Sequence, residues 1–136
     1  VFRLAIAAAA LAFATNASAD SQVTVEPIFD SRTTIAKQPV ELPGGPVEIT
    51  ASIFTIQPGA SLPVHRHAYT RLGYVLSGEI TVYNEETKVS QTFKPGDVIV
   101  ESVAKWHSGT NPGSEPLKLL VIDEAPAGAQ TTEVRK

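Results

Sequence analysis

Apolar residues fall along this chain in two kinds of run. One is an unbroken stretch at residues 4–13; the others, from residue 33 onward, are short segments rich in Val, Ile, Thr and Phe, each closed by Pro, Gly, Asn or Asp. The second kind is the punctuation of an all-β domain. It predicts strands at 34–37, 47–56, 61–67, 72–76, 79–84, 88–93, 97–100 and 117–122. Gln57-Pro58-Gly59 and Lys94-Pro95-Gly96 each join two such strands and read as tight turns, with Pro at the second place and Gly at the third. Asn84-Glu85-Glu86 closes a hairpin. Outside the first run no stretch sustains an apolar period of 3.6, so little helix is expected. Strands this short, with no helices to cover their edges, are best accommodated by closure. The expected fold is a small antiparallel barrel, a double-stranded β-helix or jelly roll.

The run at residues 4–13 is preceded by Arg3 and followed by Ala17-Ser18-Ala19 just before Asp20. Those are the three regions of a secretory signal peptide. A membrane-spanning helix needs about 20 apolar residues, roughly twice this run. Residues 1–19 are therefore expected to be a cleaved leader, with no twin-Arg pair, and the protein to be periplasmic or secreted. The mature chain divides into an N-terminal arm at 20–32, one barrel domain at 33–125, and a polar C-terminal tail or edge arm at 126–136.

Charge narrows the partners. The chain carries 11 Lys and Arg against 14 Asp and Glu, a net charge of −3, with no basic cluster. Nucleic acid, and membrane once the leader is removed, are excluded on that ground. Cysteine is absent, so disulfide and thiolate chemistry are excluded too, and any metal must be held by nitrogen and oxygen.

The histidines are His65, His67 and His107. Two residues apart on a strand, His65 and His67 project to one face. His107, forty residues on, is not tied to them by local spacing. A wider pattern connects them: Gly59 stands six positions before His65, with His67 and Gly78 after it, and Gly73-Tyr74-Val75-Leu76-Ser77-Gly78-Glu79 follows His65-Arg66-His67-Ala68-Tyr69. Further on, Pro95-Gly96-Asp97 precedes His107 and Asn111. With both motifs in order, the chain resembles the cupin superfamily, in particular its small single-domain members, from Gly59 to Asn111. The resemblance implies a small barrel in which His65, His67 and His107 converge on one divalent metal, and a homodimer. It also allows a metal-dependent dioxygenase or isomerase acting on a small organic molecule.

Two departures from the family pattern stand out. Arg71 occupies the place of a metal-binding glutamate, and Ser102-Val103-Ala104 that of a Pro-x-Gly loop. An inward guanidinium about 5 Å from a divalent ion would be repelled by roughly 7 kcal/mol at an effective dielectric near 20. Arg71 must then turn away, pair with an acid such as Glu101 or Glu79, or share an anion with the metal. The last option makes Arg71 a carboxylate-binding residue, since its planar fork suits an organic acid. Tyr69 and Trp106 are the other candidate substrate contacts, with Tyr74 a further hydroxyl donor and Glu101 an acid or base. No catalytic residue is assigned. Three imidazoles with open positions suit Zn or Cu in an exported protein, with Ni, Fe, Co and Mn also open. The alternative to an enzyme is a non-catalytic periplasmic barrel that binds or senses an organic acid through Arg71; a metal-free structural barrel is the third reading.

Overall fold

The computed structural model describes residues 23–136, so the expected leader at 1–19 lies outside the described residues. The described chain is all β, with nine strands and no helix: β1 (Glu48–Ile56), β2 (His65–His67), β3 (Arg71–Ser77), β4 (Ile80–Asn84), β5 (Ser90–Phe93), β6 (Val98–Val100), β7 (His107–Thr110), β8 (Leu117–Ala125) and β9 (Thr132–Val134). They form two antiparallel sheets, ordered β1-β8-β3-β6 and β5-β4-β7-β2-β9. The expected jelly-roll class is the one observed.

Alternation along the strands builds the interior. Leu117, Leu119 and Val121 of β8 are buried on one face, where Val75 of β3 and Ile99 of β6 join them from the same sheet and Ile80 and Val82 of β4 meet them from the opposite one. Both Pro-Gly turns form as expected. Ala60 N–H donates to Gln57 O and Asp97 N–H to Lys94 O, with Gly59 and Gly96 at positive φ. Gly78 is the glycine the fold can least replace: its φ is +73°, and an added Cβ would stand 2.8 Å from the Leu117 Cα.

Two predicted strands are corrected, and two strands are added. Residues 34–37 form a turn, not a strand, because the Thr34 hydroxyl accepts the N–H groups of Ala36 and Gln38 and competes with any ladder. The strand expected at 61–67 shrinks to His65–His67, with Ser61 left as an isolated bridge to Thr110. Pro63, which has no N–H, lies in the gap. Conversely β7, with the sequence His-Ser-Gly-Thr, and β9 are strands that pattern alone did not mark. β7 is held by pairing on both sides, to β4 and β2, which outweighs its weak intrinsic preference.

Candidate metal centre

The three histidines come together because β2 and β7 are neighbours. His65 and His107 are direct Cα partners across that ladder, and His67 projects to the same face as His65. All three are buried, their ring centroids lie 4.4 to 5.0 Å apart, and their ligating nitrogens lie within 4.8 Å of one another. The opposite sheet closes the space with Arg71, Glu101, Leu119 and Val121, leaving a void of about 20 Å³.

Hydrogen bonding fixes which nitrogen faces that void. His65 Nδ1 bonds the Pro63 carbonyl at 2.6 Å, and His107 Nδ1 bonds the Lys105 carbonyl at 2.8 Å. A carbonyl only accepts, so both rings carry the proton on Nδ1 and keep a lone pair on Nε2. His67 Nδ1 faces Thr132 Oγ1 at 3.4 Å. The Nε2 atoms of His67 and His107 are buried without a hydrogen-bond partner. Leaving a buried polar atom unsatisfied costs about 1–3 kcal/mol, and two in one void call for a shared partner. Burial lowers the pKa of all three imidazoles, His67 to about 2, with the Arg71 charge as its second cause. Neutral, lone-pair-inward imidazoles are the form that binds a metal.

Arg71 is buried and turned to β8, where Nε bonds Asp123 Oδ1 at 2.7 Å and Nη2 bonds Asp123 Oδ2 at 2.9 Å. Nη2 also donates to Thr132 Oγ1 and Thr131 Oγ1. Its pairing is thus internal and with Asp123, rather than at the rim with Glu101 or Glu79. The fork on which an organic-acid contact was expected is already filled by a carboxylate of the chain itself. Asp123 was missed by sequence reasoning, although a signal existed: it continues the inward series of residues 117, 119 and 121, and an acid on an inward face needs a partner.

The other candidates divide by strand parity. Glu101, just past β6, is buried and lines the void, with its carboxylate 3.5 Å from His107 Nε2. Burial raises its pKa. Trp106 precedes inward His107 and lies outside the void, against the guanidinium groups of Arg66 (4.5 Å) and Arg135 (5.0 Å). Arg66 in turn pairs with Glu133 on β9, so Trp106 helps clamp the C-terminal strand to β2 rather than walling the void. Tyr69 lines a separate surface cleft with Glu41, Leu42 and Val103, and Tyr74 is half-buried on the outward side of β3. Neither tyrosine lines the histidine void.

The departure at residues 102–104 leaves a trace in the backbone. Ala104 adopts φ +57°, the left-handed conformation, and its N–H donates to the His67 carbonyl at 2.8 Å. Asn111, fully buried, ties this half of the barrel to the next: its amide donates to the Ile56 and Glu115 carbonyls and its oxygen accepts from Gly113 N–H.

Residues 52–123 match the family described as Cupin domain. No curated protein matches the sequence. Among solved structures, the oxalate decarboxylase of Lactobacillus farciminis, crystallised with formate, is 29% identical with a TM-score of 0.54, over 63% of this chain and 26% of that one. A sugar phosphate isomerase of the cupin superfamily from Silicibacter pomeroyi is 17% identical (TM-score 0.53; 65% of this chain, 57% of that one). A Bacillus halodurans protein is 22% identical (TM-score 0.53; 64% and 69%). The last two likenesses are of fold alone. Against the decarboxylase, the matched part amounts to about a quarter of the larger protein's length.

Proposed function

This chain belongs to the cupin family, and from that premise we propose that it holds one divalent transition metal through His65, His67 and His107 and acts with it on a small organic molecule. The observation that carries the reading is the pair of buried, partnerless Nε2 atoms on His67 and His107, facing a void of about 20 Å³. That space takes a single water-sized species. With His65 and His107 fixed through Nδ1 on backbone carbonyls, the ring planes are set before any ion arrives. Three neutral imidazoles favour Zn(II) or Cu(II) among available divalent ions. When bound, such an ion supplies Lewis acidity toward an oxygen atom of a ligand.

The chain's own contribution is a shaped surround. Phe54, Leu62, Ile80 and Leu119 line the void with apolar surface. Beyond His107 a second cavity of about 370 Å³, mostly apolar and lined by Ile35, Val82, Val89 and Ser102, gives a small molecule a place beside the ring. Cupin neighbours include a decarboxylase and an isomerase, so likeness does not choose the reaction. The proposed reaction class is that of a dioxygenase or an isomerase, in the periplasm or outside the cell if residues 1–19 act as the leader. Sensing of an organic acid through Arg71 loses its anchor, because binding would have to break the Asp123 pair.

The test is metal content by elemental analysis of protein exported through its own leader, beside His65→Ala and His107→Ala. About one equivalent of Zn or Cu, lost in both variants, is the expected result. Protein that stays metal-free in excess Zn(II) and Cu(II) removes the proposal. Dioxygen consumption during a substrate screen then separates the dioxygenase from the isomerase.

A further inference from the structure

Residue 101 faces residue 71 across neighbouring strands. Leu72 pairs with Val100 in the β3–β6 ladder, and one step on, Glu101 N–H donates to the Arg71 carbonyl at 2.9 Å. Directly opposed residues in an antiparallel pair project to the same face. Here that face is the interior, and both side chains are buried. Arg71 is drawn to its other neighbour, Asp123, by a two-point pair, which leaves the inward space to Glu101.

Glu101 Oε2 is buried without a hydrogen-bond partner, as are His67 Nε2 and His107 Nε2, and the three residues line one void. Oε2 lies 3.5 Å from His107 Nε2. With the Glu101 carboxyl ionised, a water molecule has two protons to donate, too few for three acceptors at once. A cation satisfies nitrogen lone pairs and a carboxylate together. We propose that Glu101 is the fourth protein ligand of the metal, supplying from the end of β6 the carboxylate that residue 71 does not provide. This rests on the three-histidine reading above and extends it. The site then carries one formal negative charge of its own, while the Arg71 charge is matched by Asp123. The oxygen donor also makes the site less exclusive to nitrogen-preferring ions.

The test uses metal-stripped protein, wild type and Glu101→Gln, titrated with Zn(II) against a competing chelator and with Cu(II) followed by electron paramagnetic resonance. Glu101→Asp, which retracts the carboxylate by one methylene, is the second variant, and each is checked for an unchanged far-ultraviolet dichroism spectrum. The expected result is Zn(II) binding weaker by at least about tenfold in Glu101→Gln. The Cu(II) spectrum should change as the anionic carboxylate is replaced by a neutral amide. Glu101→Asp should also shift the Cu(II) spectrum. An unchanged Cu(II) spectrum in both variants overturns the proposal even if affinity falls, because a group acting only through His107 would leave the donor set intact. Wild-type protein that binds neither ion overturns the three-histidine reading itself, and this one with it.

Discussion

Arg71 and Asp123 are Cα partners on β3 and β8, and the guanidinium closes on the carboxylate through Nε–Oδ1 at 2.7 Å and Nη2–Oδ2 at 2.9 Å. Both side chains are largely shielded, at 9% and 16% exposure. The pair therefore places a matched positive charge at the wall of the histidine void, where an unmatched one would oppose a cation.

Asp123→Ala leaves that guanidinium buried and unpaired. The expected loss is about 3 kcal/mol of unfolding free energy, since breaking one side of a buried pair exposes the desolvation of the other. Zn(II) affinity should fall as well, because Arg71 is released toward the void. Urea unfolding of metal-free protein and a chelator competition read the two effects separately. Normal stability and normal affinity would mean that solvent already screens the pair.

Much of this site was legible in the sequence, and the reasons are local. His65 and His67 share a face by the two-residue repeat of a strand, and the Pro-Gly turns follow from φ restrictions. Trp106 is a candidate substrate contact in the sequence, yet it sits just before β7 against Arg66 and Arg135, partners that no local spacing places beside it. The Arg71–Asp123 bond was not legible, because it spans 52 positions and depends on which strands become neighbours. Residues 34–37 read as a strand because Thr34 and Ile35 favour strands, while the turn is closed by the Thr34 hydroxyl together with backbone bonds from Thr34 N–H to Gln38 O and from Lys37 N–H to Thr34 O.

Ala104→Gly is expected to stabilise the protein. An L-residue in the left-handed region costs about 1–2 kcal/mol, and the extra chain entropy of glycine returns about 0.5–1 kcal/mol of that gain. The net expectation is a gain of about 0.5–1 kcal/mol, read as a higher urea midpoint with an unchanged slope. Gly78→Ala tests the same principle in reverse: with φ +73° and backbone 2.8 Å from the new Cβ, it should destabilise strongly. A neutral Ala104→Gly would place that loop in another conformation in solution.

Asn111→Ala removes three bonds at once: two from the amide to Ile56 O and Glu115 O, and one accepted from Gly113 N–H. The residue is wholly buried, so these backbone groups have no ready replacement in water. A loss of about 2–4 kcal/mol is expected. Zn(II) binding by the folded fraction should be unaffected, because Asn111 does not line the histidine void. Loss of metal binding with an unchanged dichroism spectrum would instead tie this residue to the site.

Metal-free protein should lose stability on acidification below pH 6.5. Burial lowers the folded pKa of His65, His67 and His107 from 6.5, so below that pH the unfolded chain takes up protons that the native state refuses. Stability then rises with pH across the window beneath 6.5. Glu101 works with the opposite sign: burial raises its folded pKa above 4.5, so the native state keeps a proton that the unfolded chain gives up, and stability falls as pH rises through that range. Each group changes stability by up to about 1.4 kcal/mol per pH unit, and three histidines outweigh one glutamate. Denaturant midpoints of chelator-treated protein should therefore be clearly lower at pH 5.5 than at pH 7.5. His67→Gln should flatten the slope by removing one titrating group. A flat profile in the wild type would mean that the imidazoles titrate freely, and so are open to water rather than held neutral around the void.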